Sequence, residues 1–136
     1  MQSEGLSPGS SAEASWVVGE SDLASALSTD HADSFPPVFA TARMVALMEL
    51  AAARVLTPLL EAGELSVGVF LDVRHTAATP PGATVTARAR FTGMEGKFYR
   101  FDVEVFDDGG PIGRAVHDRA IVTVDRLLEG ARRRRR

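Results

Sequence analysis

The chain has 136 residues, of which 45% are hydrophobic, and its formal net charge is −3 at pH 7. This length predicts one domain with a core of its own. The absence of cysteine excludes disulfides, thiolate metal sites and a thiol nucleophile. No apolar run reaches the ~20 residues of a membrane-spanning helix, and the N-terminal segment lacks the pattern of a signal peptide. A cytoplasmic location is therefore the default expectation.

The charge is distributed unevenly along the chain. Five of the 15 basic residues form the terminal run 132–136, which leaves ten basic residues against 18 acidic ones elsewhere. An acidic body argues against nucleic acid as the main partner. A terminal arginine run can bind nucleic acid or an anionic membrane, but it is more often a solvated end. We assign residues 128–136 to a basic tail and expect no nucleic-acid or membrane partner.

The predicted elements follow one another in a simple order. Residues 1–14 are expected to form a disordered arm, and residues 15–127 the folded domain. A short strand at 15–20 precedes a polar loop, and one long helix covers residues 41–57. Turns rich in glycine and proline then separate four strand-like stretches, at residues 66–79, 83–93, 97–107 and 111–125. This order predicts an α+β fold with a five-stranded antiparallel sheet.

The predicted helix carries two candidate functional residues. At ~100° per residue its apolar side chains cluster on one face, and Glu49 lies on the flank of that face, away from the exposed charges. Glu49 is interpreted either as a rim carboxylate or as a carboxylate that serves a site. Thr41, at the start of the helix, is favoured as an N-cap residue. The same position also suits binding of an oxygen that develops negative charge.

Two histidines lie in strand-like stretches. Period-two alternation points His75 toward the helix that carries Glu49. A lone histidine on an apolar face is usually a core residue, but pairing with a carboxylate favours a functional site. His117, which is followed by an aspartate and an arginine, is interpreted as part of a surface or interface cluster. The residues predicted to share the face of His75 are Val67, Val69, Leu71 and Val73.

Several common site chemistries lack their sequence motifs. The chain has no GxxxxGK[ST] phosphate loop and no GxGxxG dinucleotide turn. Its three scattered histidines give no metal-ligand spacing, and we expect neither a metal nor a cofactor. The remaining candidates are a threonine, a glutamate and a histidine on an α+β scaffold.

Three separated segments resemble one known family. The stretches FPPVFATARMVALMELAAARVL, SVGVFLDVRHTAATPPG and GRAVHDRAIV are similar to those of the fluoroacetyl-CoA thioesterase family, which has the hotdog fold. The likeness runs in unbroken order from Trp16 to Arg126. It implies a long helix wrapped by an antiparallel sheet and a homodimer whose active site lies at the subunit interface. It also implies hydrolysis of the thioester of a short or medium acyl-CoA or acyl-carrier substrate.

The resemblance also implies roles for individual residues. The catalytic threonine, glutamate and histidine of the family fall on Thr41, Glu49 and His75. Before residue 35 this chain reads DHADS, which is small and polar where the fluoroacetyl-selective enzyme has a more aromatic lid. Selectivity for a fluorinated acyl group is therefore not implied. Three further positions match residues at the family's acyl site: Phe35, Gly68 and Arg119.

Helix geometry constrains how such a site could work. Eight helical residues rise about 12 Å, so Thr41 and Glu49 cannot bond to each other directly. They converge only through a bend, through His75 or through a partner chain. His75 is the expected base, Thr41 with a helix N-terminal amide is expected to hold the thioester oxygen, and Glu49 would orient the imidazole, activate water or form an acyl adduct. The alternatives are a non-catalytic acyl-CoA-binding hotdog protein and a hotdog hydratase.

Overall fold

Five strands form one antiparallel sheet in the computed structural model, which describes residues 6–135. The order of the strands across the sheet is β1-β3-β4-β5-β2, so that β1 and β2 are its edges. The predicted α+β fold with five antiparallel strands is confirmed. The strands are β1 (Ser11–Val17), β2 (Glu64–His75), β3 (Thr84–Glu95), β4 (Phe98–Asp107) and β5 (Gly110–Thr123), and the helices are α1 (Thr41–Leu56) and α2 (Val124–Arg133).

Helix α1 crosses the sheet and contacts all five strands. Its apolar face is fully covered because the sheet curls around it, and each buried methionine or leucine contributes about 1.5–3 kcal/mol. The helix stops at Leu56 because Pro58 has no backbone N–H to continue the hydrogen-bond ladder, and a 3-10 turn follows at Thr57–Leu59. The buried helix residues are Met44, Leu47, Met48, Ala51, Ala52, Val55 and Leu56.

Two of the turns predicted from glycine residues contain a glycine with a positive φ angle. Gly82, before β3, has a φ of +90°, and Gly96, between β3 and β4, has a φ of +63°. Side chains with a Cβ atom rarely adopt these angles. Both turns place the following strand antiparallel to its neighbour, as predicted.

A β-bulge interrupts β2. The register pairs Gly68 with one residue of β5 and Phe70 with the next residue, so that Val69 is an extra residue without a partner. Val69 and Phe70 are both exposed, at 45% and 46%. An inserted residue bends the strand and shifts its side-chain alternation by one position.

The bulge changes which residues of β2 face α1. After it, Leu71, Val73 and His75 are on the helix side, as predicted. Before it, Gly68 is on that side, because a Cβ atom there would meet Glu49 of the helix. The prediction that Val67 and Val69 share the face of His75 is therefore wrong, since period-two counting assumes an unbroken strand.

The ends of the folded region also differ from the predicted boundaries. Strand β1 begins at Ser11, so the prediction of disorder is wrong for residues 11–14, whose small and polar side chains gave no apolar signal. Residues 1–5 of the predicted arm lie outside the described residues. Most of the predicted basic tail is helical, since α2 continues to Arg133. Among residues 6–135, no helix has the length and apolarity needed to cross a membrane.

Candidate active site

The first helical residue contacts the last residue of β2. Thr41 Oγ1 lies 2.8 Å from His75 Nδ1. The N-cap position of α1 is Ala40, and its cap has no side-chain hydrogen bond, so the predicted capping role of Thr41 is wrong. Because the hydroxyl is not used for capping, it is free to bond the imidazole.

The environment of His75 favours the neutral form of its imidazole. Burial lowers the pKa of His75 below its ordinary value, and a smaller contribution from the Ala77 backbone opposes this shift. The second ring nitrogen, Nε2, is buried and makes no hydrogen bond within residues 6–135. A neutral imidazole with a nitrogen available can accept a proton, which is the requirement for a general base.

Glu49 lies two helical turns away and packs on Gly68. A Cβ atom at position 68 would collide with Glu49 Oε2, so only glycine leaves room for this carboxylate. Arg119 Nη1 donates to the same oxygen at 3.3 Å. The Glu49 side chain is 42% exposed, whereas that of Arg119 is buried. The Glu49 carboxylate is thus bound by Arg119 on one side and exposed to solvent on the other.

Arg119 is held by several groups at once. Its Nε donates to Ser66 Oγ at 2.9 Å, and its Nη2 donates to the Ser66 carbonyl oxygen at 2.9 Å. Its Nη1 serves both Glu49 Oε2 and His117 Nε2, the latter at 3.1 Å. Burial lowers the pKa of Arg119, and the charge of Glu49 opposes that shift. Of the five N–H donors of a guanidinium, four are therefore used inside the protein.

Comparison with known proteins assigns the chain to a family. Residues 18–125 match the profile of the family described as the fluoroacetyl-CoA-specific thioesterase. The chain belongs to this family. A fluoroacetyl-CoA thioesterase from Streptantibioticus cattleyicolor is 45% identical over 93 residues, which are 68% of this chain and 67% of that protein. The resemblance stated from the sequence is confirmed, and the protein is a thioester hydrolase.

Solved structures of thioesterases have the same fold. A crystal structure of a variant of the fluoroacetyl-CoA-specific thioesterase FlK aligns with a TM-score of 0.87 and 36% identity, over 96% of this chain and 98% of the other. A Thermus thermophilus member of the thioesterase superfamily aligns with a TM-score of 0.83 and 29% identity, over 94% and 92% of the two chains. The predicted hotdog fold is confirmed.

In this member of the fluoroacetyl-CoA-specific thioesterase family, the predicted site residues form two separate groups. One group is Thr41 with His75, and the other is Glu49 with Gly68 and Arg119. No hydrogen bond joins His75 to Glu49 within the described chain. The rise of α1 explains this separation, because eight residues span about 12 Å.

His117 of this thioesterase was also misjudged from the sequence. It is only 2% exposed, and Asp118 and Arg119 are buried as well within the one chain, so the predicted surface or interface cluster is wrong. Asp118 points to the other side of the sheet, where Arg100 donates to it from β4 at 2.8 and 3.0 Å.

His117 shares a row of β5 with Gly113 and Ala115, and a Cβ atom at Gly113 would meet Met44 of α1, so this row faces the helix. No such signal was present in the sequence, because the other row of β5 is the more apolar one.

Two other predictions concern the surroundings of the site. Phe35 lies in the loop before α1 and is exposed, and its role as a cover of the acyl pocket stays a prediction. Among residues 6–135, no group of three or more histidine, aspartate or glutamate side chains could hold a metal ion.

Proposed function

We propose that this thioesterase hydrolyses short or medium acyl-CoA or acyl-carrier thioesters with Thr41, Glu49 and His75, at a composite site built by two subunits. The observation that carries the proposal is the 2.8 Å contact between Thr41 Oγ1 and His75 Nδ1. Structures of the related enzyme FlK include variants in complex with acetyl-CoA and in complex with fluoroacetate and CoA. The small, polar segment before Phe35 differs from an aromatic lid, so the proposal does not include selectivity for a fluorinated acyl group.

The free edge of the sheet supports a dimer. Strand β2 is an edge strand of 12 residues, and it presents the exposed apolar side chains Val69 and Phe70. On α1, Leu50, next to Glu49, is also exposed. A long apolar edge strand in water is prone to pair with another chain. A second copy placed along β2 by a two-fold axis would cover it.

The directions of α1 and β2 explain how a dimer would complete the site. Thr41 contacts His75 while Glu49 packs on Gly68, so the helix and the strand run side by side in opposite directions. A two-fold axis between these two contacts exchanges their positions. It would place Glu49 of the partner subunit opposite the Thr41–His75 pair, and each dimer would contain two such sites.

Each group then has a chemical task in thioester hydrolysis. His75 takes the proton from the attacking group and delivers one to the leaving thiolate. The Thr41 hydroxyl and the free N–H groups of the first helical turn bind the carbonyl oxygen as it becomes an oxyanion. The partner's Glu49 orients the imidazole, activates the water or accepts the acyl group as an adduct.

Thiol release tests the activity. We expect free CoA from a series of acyl-CoAs that runs from acetyl to long-chain, with the highest kcat/KM for short or medium chains and with full activity after chelation of metals. One acyl-carrier protein thioester extends the series to carrier substrates. Release that depends on added zinc, or no release from any thioester, would overturn the proposal.

Mixed dimers test the composite site. The variants T41A and E49Q are each expected to be nearly inactive. If the two residues come from different subunits, mixing the variants rebuilds one intact site in each mixed dimer, and about a quarter of the wild-type activity returns. A mixture of T41A and H75A is the matched control, since both residues belong to the same half of the site and no activity should return. Equal behaviour of the two mixtures would contradict the composite site.

A further inference from the structure

His117 is buried on β5, next to the arginine that binds Glu49, and it has no role in the proposed reaction. Its Nδ1 is 2.9 Å from the carbonyl oxygen of Phe70, the residue that follows the bulge in β2. Its Nε2 is 3.1 Å from Arg119 Nη1. The imidazole thus joins the bulged strand to the arginine that binds Glu49.

The two partners determine the protonation state of His117. A guanidinium can only donate, so Nε2 must accept and cannot carry a hydrogen. A carbonyl oxygen can only accept, so Nδ1 must carry one. His117 is therefore neutral, as the Nδ1–H tautomer. Burial lowers the pKa of His117, the Phe70 hydrogen bond opposes this, and the charge of Arg119 lowers the pKa further.

The charged groups around His117 come from few elements. Arg119 lies on the same strand and Glu49 on α1, and these two face the imidazole. Asp118 lies on the other side of β5, where it is paired with Arg100 of β4. Burial has the larger effect and lowers the pKa of His117, whereas the negative charges of Glu49 and Asp118 raise it. The β4 residue opposite His117 in the register is the uncharged Phe101. Arg119 is thus the charge that a protonated His117 would meet at hydrogen-bond distance.

We propose that His117 is a positioning residue, whose neutral imidazole holds Arg119 and the Phe70 carbonyl and thereby holds Glu49 in place. The proposal rests on the proposed role of Glu49 in hydrolysis. Protonation of Nε2 would remove the acceptor of Arg119 and set two cations 3.1 Å apart. The guanidinium would then turn away, and Glu49 would lose its fixed position. Acid would therefore act on the site twice, once at His75 and once at His117.

Three variants separate this role from simple packing. In H117F the ring volume is kept but both hydrogen bonds are lost, and we expect kcat to fall about tenfold to a hundredfold, the factor of one charge-assisted hydrogen bond. In H117Q the amide can donate to Phe70 and accept from Arg119 at every pH, and we expect most of kcat to return. H31Q is the matched control, because His31 is exposed, and its kinetics should equal those of the wild type.

The pH profile gives a readout that packing would not change. When both His75 and His117 must be neutral, log kcat/KM on the acid side approaches a limiting slope of about two. In H117Q only His75 remains, and the slope should fall to about one. Equal slopes in the wild type and H117Q, or a wild-type kcat in H117F, would overturn the proposal.

Nuclear magnetic resonance tests the same contacts without any substrate. Long-range proton–nitrogen spectra of the wild type at neutral pH should show His117 as the Nδ1–H tautomer. The Arg119 Nε–H signal should be sharp in the wild type and in H117Q, and should broaden as the wild type, but not H117Q, is acidified. A different tautomer, or an Arg119 signal that behaves alike in both proteins, would refute the role of His117. Failure of the thiol-release assay alone would refute only the proposed function.

Discussion

The two groups of site residues along α1 are held in different ways. At the helix N-terminus, Thr41 and His75 share one hydrogen bond, and His75 Nε2 is left without a partner in the described chain. At the middle of the helix, Glu49 meets an arginine that is fixed by three further hydrogen bonds. The first group is free to exchange protons, whereas the second is positioned to keep a charge in one place. We infer that base and carboxylate belong to separate halves because each task needs its own surroundings.

The largest expected effect comes from removing the base. H75A should lower kcat about 10²–10⁴-fold, the usual range for a positioned general base, while the fold is retained. E49Q should also damage turnover, and the double variant should lose far less than the product of the two effects, because residues that act as a unit are not additive. Turnover and melting temperature are measured on the same samples. A variant that melts easily but turns over like the wild type would make His75 a structural residue.

A smaller loss of activity is expected in the group around Glu49, when one methyl group is added at Gly68. In G68A the new Cβ atom collides with Glu49 Oε2, so the carboxylate must move. Because it is the end of a flexible side chain that is 42% exposed, we expect little loss of folding stability. The displaced carboxylate should reduce kcat by up to about a hundredfold. In an E49A background, which has no carboxylate to displace, the same substitution should leave the remaining kcat unchanged, and denaturant titration checks that the fold is kept. G130A is the control, since nothing lies within 4 Å of a Cβ atom there.

The pH dependence of stability should report on both halves. The pKa values of His75 and His117 are lowered in the folded protein, by burial in each case. As the pH falls below the ordinary value of about 6.5, the unfolded chain therefore takes up protons that the folded chain refuses. The free energy of unfolding should fall between pH 7.5 and pH 5.5, as urea titrations measure it. H117Q should lose part of this dependence and H31Q none of it; equal dependence in the wild type and H117Q would contradict the assignment.

The smallest effect is expected from removing the arginine run at the end of α2, outside both groups of site residues. Arg132 pairs with Glu129 on the exposed surface of α2, a helix without buried residues that contacts β5. Removal of residues 132–136 should leave kcat and KM for acyl-CoA unchanged. The same truncation, assayed with an acyl-carrier protein, provides the contrast. A large loss with that acidic substrate would identify the arginine run as a docking element.

The sequence predicted one half of the site more completely than the other. The start of α1, the flank position of Glu49 and the direction of His75 follow from local periodicity, and the resemblance assigned catalytic roles to Thr41, Glu49 and His75. The sequence could not show the place of Glu49 beside Gly68 and Arg119, because Gly68 faces the helix only through a bulge. Val69 is one more apolar β-branched residue in an apolar run, and nothing in its neighbours indicates an extra position. His117 was misjudged because its partners are a carbonyl from another strand and a buried arginine.

The bulge at Val69 adds one residue to β2 between Gly68, beside Glu49, and His75, beside Thr41. Gly68 and His75 are seven positions apart, an odd number, so in a regular strand they would lie on opposite faces of the sheet. The single extra residue is what allows both to face α1. Insertion or deletion of one residue between them should therefore abolish the site even where the sheet still forms. Any protein that builds the same site on this fold should therefore keep both the extra residue and the odd spacing.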